Sequence, residues 1–240
     1  MENKTHLFIS DIHLGLESPE RERAKEAKLV SFLNQAKDAH SLFILGDLFD
    51  YWFEYKRVMQ KGYYRTFTAL ADLTEAGVDV HYIIGNHDFL HRDFFEKELS
   101  VNLYLDGTTF TLNSKKFFLA HGDGLVKNDG GYRILKRILR NKFIQRMYSS
   151  IHPDLGIALA SGSSKASREY TGHKDYGRED GLFDTAKDMI DNGWDYVMFG
   201  HRHIRSIKHH NDGTYVNLGT WLDAPCCGKY ENNNFEIIDL

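Results

Sequence analysis

Leu7-Phe8-Ile9-Ser10-Asp11-Ile12-His13 is an apolar run that stops abruptly at a carboxylate and an imidazole two residues apart. A short run of aromatic and β-branched residues, closed by polar or glycine residues, reads as a buried strand. Working outward from it, the same grammar recurs. Leu42-Phe43-Ile44-Leu45 runs into Gly46-Asp47, and His81-Tyr82-Ile83-Ile84 runs into Gly85-Asn86-His87-Asp88. Phe117-Phe118-Leu119-Ala120 precedes His121-Gly122-Asp123, Tyr196-Val197-Met198-Phe199 precedes Gly200-His201-Arg202-His203, and Tyr215-Val216-Asn217-Leu218 precedes Gly219.

Helical signals lie between several of these runs. Ser18-Pro19 places an N-cap residue before a proline at the first helical position. The helix is predicted to reach about His40, with Ala27, Val30 and Leu33 facing inward. A second helix is predicted from Tyr63 to Ala76, closed by Gly77, and a third from Leu182 to Asn192, closed by Gly193. Alternating strands and helices imply an α/β fold with largely parallel strands, whose site is built by the loops beyond the strands' carboxyl ends. Further strands expected at 108–112 and 235–238 suggest a second sheet and a sandwich. The segment from about 126 to 171 looks helical and interrupts the alternation, so a single domain over 1–240 with an inserted cap is expected.

Composition narrows the function. The net charge of −4 argues against a nucleic-acid binder, and no aromatic stacking platform accompanies the one basic cluster. Thirteen histidines in 240 residues are many, and imidazole is a common transition-metal ligand. The only cysteines, Cys226 and Cys227, are adjacent, so no disulfide framework is expected and no role is assigned to them. No signal peptide is visible and no apolar run approaches the ~18 residues of a spanning helix, so an intracellular, cytoplasmic protein is expected.

The polar clusters suit a pair of divalent ions. Two ions ~3.5–4 Å apart require a carboxylate between them, with imidazole and amide ligands around it. Asp11 and His13, like His201 and His203, lie two apart; in an extended segment both side chains leave the same side. Asp47, Asn86 and His121 each sit beside a glycine. Taken singly, a buried histidine is more often a core residue and an Asp after a strand more often a cap; the ordered set is what carries the reading.

That set resembles the calcineurin-like metallophosphoesterase superfamily: Asp11-x-His13, Gly46-Asp47, Gly85-Asn86-His87-Asp88, His121-Gly122-Asp123 and Gly200-His201-x-His203. The resemblance implies a metallophosphoesterase-type β-sandwich flanked by helices (αββα). It implies one metal on Asp11, His13, Asp47 and His203 and a second on Asp47, Asn86, His121 and His201. Manganese is the expected metal, with iron and zinc as alternatives. It also implies a catalytic His87, with Asp50 orienting it, while Asp88 is expected only to brace its loop.

From Arg133 to Arg146 there are six basic residues and no acidic one. Leu135, Leu139, Phe143 and Met147 recur every fourth position, beside Ile134 and Ile138, which reads as one basic amphipathic helix. Such a helix fits a membrane surface or an amphiphilic substrate; equally, its stripe could pack on the main domain. The Gly46-to-Trp52 stretch, His121-Gly122-Asp123, Asn128-Asp129, Tyr132-Arg133 and Ser164-Lys165 resemble the UDP-2,3-diacylglucosamine hydrolases of lipid A synthesis. That resemblance implies cleavage of a lipid-linked nucleotide to UMP and a diacylglucosamine 1-phosphate by a peripheral protein of the inner membrane's cytoplasmic face. Substrate contacts are then implied for Asn86, His87, Asp123, Tyr132, Ser164, Lys165 and His201. The best-known branch of that family has Arg where this chain has His87, so a soluble phosphoester stays open as the alternative substrate. A non-catalytic scaffold on the same fold is a third reading, against which the complete ligand set counts.

Overall fold

The run around Phe8 forms β1 (His6–Ile9), buried along its whole length. In a computed structural model, which describes residues 4–126, 130–159 and 181–240 (of 130–132 and 135 the backbone only), this strand is central to a six-stranded sheet. Its neighbours are β2 (Ser41–Ile44), β3 (Asp79–Ile83) and β4 (Asn102–Tyr104), all parallel to it in order. On its other side β10 (Cys226–Glu231) and β11 (Asn234–Asp239) close the sheet antiparallel. A second sheet has the order β5 (Thr108–Leu112), β6 (Lys115–Leu119), β7 (Tyr196–Phe199), β9 (Gly213–Asn217) and β8 (Ser206–His210), with β6, β7 and β9 parallel.

Period-two alternation sorts the side chains of β1. Leu7 and Ile9 meet Leu29, Phe32, Leu33, Leu70 and Leu73 of α1 (Pro19–Gln35) and α2 (Tyr64–Glu75). Phe8 points the other way, into the layer between the sheets, with Phe43, Phe117, Met198 and Val216. The rings of Phe8, Phe43 and Phe117 stack at 5.0 and 6.0 Å. The outer face of the second sheet is covered by α7 (Gly181–Asp191), through Leu182, Ala186 and Ile190. The expected αββα sandwich is therefore observed. Cys226 and Cys227 are neighbours in β10 and point to opposite faces, one into each core layer, which keeps them unpaired.

Several expectations need correction. Val30 and Leu33 face inward as expected, together with Lys25, Leu29 and Phe32, whereas Ala27 is exposed. This helix ends at Gln35 and tightens into a 3-10 turn (Ala36–Asp38) rather than reaching His40. Ser18 takes the N-cap position without accepting a capping bond. Strands β4, β8 and β10 were not expected. The basic stripe is two helices: α4 (Gly130–Leu139) gives way to α5 (Lys142–Tyr148), because the Asn141 side chain accepts from the N–H groups of Phe143 and Ile144 and starts a new helix. Residues 153–159 are helical as well (α6), and a single turn, α3 (Phe94–Lys97), lies between β3 and β4. Nor are the ligand pairs extended: Asp11, His13, His201 and His203 all lie in the left-handed region, at φ of 52°, 49°, 67° and 56°.

At the amino end of β1, far along the strand from these loops, His6 is buried and shares a 2.7 Å hydrogen bond with Ser41. Burial, aided by nearby His40, pushes its pKa down to about 4. The unfolded chain, with histidine at about 6.5, therefore takes up the proton first. Stability from this group is complete above about pH 6.5 and falls as pH drops toward 4. His6→Gln is expected to make the acid-side decline of the urea midpoint shallower than in the wild type, across a pH series of urea melts.

Candidate metal centre

Parallel strands carry their loops to a common end, and five loops meet there. Asp11 and His13 follow β1, Asp47 and Asp50 follow β2, Asn86 and His87 follow β3, His121 and Asp123 follow β6, and His201 and His203 follow β7. The loops continue to pair beyond the strands. The N–H groups of Ile12 and His13 both donate to the Asp47 carbonyl at 3.0 Å, and Asp11 N–H donates to the Gly46 carbonyl. Asp47 itself has φ of 52°. Left-handed backbone at a non-glycine residue costs about 1–3 kcal/mol and persists only where its surroundings enforce it.

All seven expected ligands are brought together. His13 Nε2 lies 3.1 Å from His203 Nε2, and His203 Nε2 lies 3.3 Å from an Asp11 carboxylate oxygen. Asp47 Oδ2 sits between the two halves, 3.7 Å from His13 Nε2 and 3.2 Å from His121 Nε2. Asn86 Oδ1 is 2.9 Å from both His121 Nε2 and His201 Nδ1. His121 Nδ1 donates to the Leu45 carbonyl at 2.8 Å, which turns its Nε2 toward Asp47 and Asn86. Asp11 and Asp47 are both almost wholly buried.

This donor set fits divalent ions. The His13 and His203 Nε2 atoms face one another at 3.1 Å, and as neutral imidazoles without an N–H on that side both can direct a lone pair at one cation. Ligands ~2.0–2.2 Å from one ion stand about 3 Å from each other, the spacing seen here. Burial alone would raise the Asp47 carboxyl, but His121 and His87 outweigh it and hold it well below the carboxylate range. A metal-binding carboxylate must be ionised, and the two histidines favour that form.

The remaining predicted residues divide. His87 donates through Nδ1 to the Asp50 backbone carbonyl at 2.9 Å, leaving Nε2 as its other nitrogen, and its own N–H donates to Asp47 Oδ1. The Asp50 carboxylate lies 3.7 Å from His87 Nδ1 and 3.5 Å from His13 Nδ1, so it faces His13 as closely as the residue it was expected to orient. Asp88 braces its loop as expected, accepting from the N–H groups of Leu48 and Gly85 and from the Tyr82 hydroxyl. Asp123 lies beside the centre but forms a 2.8 Å ion pair with Lys136 of α4. Tyr132 belongs to α4 by its backbone, and Ser164 and Lys165 lie outside the described residues.

Sequence reasoning missed the supports. Thr220 Oγ1 and Trp221 N–H donate to the Asp11 carbonyl, and the Asn217 amide donates to the Gly200 carbonyl, so the end of β9 and the loop after it hold the first and last of these loops at once. Lys25 and Glu22 of α1 grip the first loop from below. None of these residues carries a motif that marks it as part of the site.

A buried carboxylate flanked by histidines on both sides, where the carboxyl ends of parallel strands from two mixed sheets meet, is a donor set suited to divalent metal ions. Residues 5–205 match the family described as Calcineurin-like phosphoesterase, which uses a pair of such ions. The chain belongs to that family and is a metal-dependent phosphoester hydrolase. It is 31% identical to the UDP-2,3-diacylglucosamine hydrolase of Porphyromonas gingivalis, over 90% of this chain and 89% of that one. The proteins of the same name from Neisseria meningitidis and Haemophilus influenzae are each 30% identical, over 91% of this chain and 90% and 91% of theirs. Among solved structures, an archaeal phosphodiesterase superposes with a TM-score of 0.50 at 14% identity, over 98% of this chain and 99% of that one, which is a likeness of fold.

A Cβ at Gly85 would lie 2.2 Å from Asp47 Oδ1 and 2.6 Å from the Asp47 backbone nitrogen. Gly85→Ala is expected to push this carboxylate off its position. The predicted result is a loss of about 1–3 kcal/mol in thermal unfolding, together with weaker metal retention after dialysis.

Proposed function

We propose that this chain hydrolyses the diphosphate of UDP-2,3-diacylglucosamine, releasing UMP and 2,3-diacylglucosamine 1-phosphate. The observation that carries the chemistry is the Asp47 carboxylate standing between His13 and His121. The substrate reading is supported by the similarity of nearly the whole chain to curated hydrolases of that name. Asp11, His13, Asp47 and His203 hold one ion, and Asp47, Asn86, His121 and His201 hold the other, with manganese as the metal. When bound, such a pair supplies activation of water and neutralisation of phosphate charge.

The chain's own residues do the rest. Asp47 offsets the repulsion between two cations. His87 has one nitrogen committed to the Asp50 carbonyl, which leaves the other to donate a proton to the leaving phosphate oxygen. Asp50 steadies both His87 and His13. Asn86, His201 and Asp123, joined by Tyr132, Ser164 and Lys165, make up the substrate-contacting set.

Residues 126–171 act as the cap. α4 is tied to the body by Lys136 with Asp123 and by Arg140 with Asp106, and α5 by Tyr148 against Tyr51 and Phe53. Its apolar residues are largely uncovered by the other described residues: Phe143 is 70% exposed, Met147 59% and Leu155 56%. With Arg133, Arg137, Lys142 and Arg146 beside them, they suit acyl chains and the anionic surface of the inner membrane's cytoplasmic leaflet. No described helix is long and apolar enough to cross a membrane.

Asp47→Ala is expected to retain the fold while losing both ions by elemental analysis and all activity; near-normal turnover would refute the centre. His87→Ala should keep its metal and lose about 10²–10⁴-fold in kcat, the range of a single acid–base group. Turnover of UDP-2,3-diacylglucosamine should far exceed that of a soluble phosphodiester such as bis-p-nitrophenyl phosphate. The reverse order would replace the lipid substrate with a soluble one.

A further inference from the structure

We propose that Lys25 is a positioning residue for the ion held by Asp11, His13 and His203, an inference that rests on the binuclear reading above. Lys25 lies on the inner face of α1 and is 6% exposed, and a lysine is almost never so buried without a partner. Its Nζ donates to the backbone carbonyl of His13 at 2.7 Å. It also lies 3.0 Å from Glu22 Oε1 and 3.4 Å from Glu17 Oε2.

Glu22 works on the same loop from one helical turn earlier. Its two carboxylate oxygens accept the N–H groups of Gly15, at 2.8 Å, and Glu17, at 2.7 Å. Two side chains of one helix thus hold three backbone groups between His13 and Glu17. The loop leaves β1 with Asp11 and His13 both in the left-handed conformation, so its own backbone preference does not keep the imidazole in place. The His13 N–H is held by the Asp47 carbonyl on one side and the His13 carbonyl by Lys25 on the other. With both peptide groups of His13 tied, its ring has a defined origin from which to face His203 and Asp47.

The network is also charge-balanced. Lys25 and Arg21 stand against Glu17 and Glu22, with Arg21 3.6 Å from Glu17, so the buried ammonium adds little net repulsion toward a dication beyond His13. A buried ion pair is by itself weak evidence of a stabilising role, since an apolar pair of similar size often does as well. What singles out Lys25 is the atom it binds, which belongs to a metal ligand.

The test uses the full chain, stripped of metal and titrated with Mn²⁺ by calorimetry. Supports of this kind typically set metal affinity by about 10–100-fold, so Lys25→Met should weaken one class of site by that factor and leave the other close to wild type. The Mn²⁺ concentration for half-maximal hydrolysis of bis-p-nitrophenyl phosphate should rise in parallel, with kcat at saturating Mn²⁺ largely retained. Lys25→Arg keeps a donor and should recover most of the affinity. Unchanged affinity in Lys25→Met overturns the proposal. So does equal weakening of both sites accompanied by a lower melting temperature of the metal-free protein, which is the mark of a merely structural lysine. Should Lys25→Met fail to fold, Glu22→Gln, which removes one of the two acceptors, is read by the same criteria. If the wild type itself binds fewer than two ions, the binuclear reading fails and this inference with it; two ions with an insensitive Lys25 remove this inference alone.

Discussion

The Asp47 carboxylate sits almost without solvent at the point where two sheets bring their strand ends together, and most of the surrounding structure serves to hold it there. An uncompensated buried charge is strongly unfavourable, so the fold must supply partners. It does so in three directions: His13 on one side, His121 on the other, and the His87 N–H beneath. The carbonyl of the same residue accepts from Ile12 and His13, which ties the first loop to the second. Gly85 lets the third loop approach so closely that no side chain fits between.

Such proximity demands a rigid frame with a strained edge. The frame is the aromatic layer between the sheets, where Phe8, Phe43 and Phe117 stack and set the sheets' separation. The edge is a set of residues in left-handed backbone, among them five of the seven proposed metal ligands: Asp11, His13, Asp47, His201 and His203. Strain of this kind survives where neighbouring groups over-determine it. Thr220 and Trp221 on the Asp11 carbonyl, and Lys25 on the His13 carbonyl, are those groups.

The helices after β6 join the body along two seams of different chemistry. An ionic seam runs from Lys136 and Arg140 to Asp106 and Asp123, beside His121. An aromatic seam packs Tyr148 and Ile157 against Tyr51, Phe53, Phe89 and Leu90, beside Asp50 and His87. One seam lies beside His121 and the other beside Asp50 and His87, so the two flank the candidate centre. Ionic contacts weaken with salt and apolar ones do not, which gives the two attachments separate controls.

The sequence by itself determined the sandwich and the donor set. Period-two alternation around Phe8 and its counterparts marks buried strands, and polar residues that follow each strand must fall at one end of parallel sheets. Chemical type then restricts what carboxylates, imidazoles and an amide can do together. It did not disclose β4, which has three residues, β8, whose Ser206–His210 run is mostly polar, or β10, which pairs with β1 from the far end of the chain. It suggested one basic helix where Asn141 starts a second, a capping choice settled by two backbone N–H groups. Only the tertiary structure decided that Asp50 lies between His13 and His87, that Asp123 pairs with Lys136, and that Lys25 turns inward to the His13 carbonyl. These are contacts between a side chain and a group brought near by folding. Periodicity encodes which face of an element is buried, but not which atom of a distant loop will meet it there.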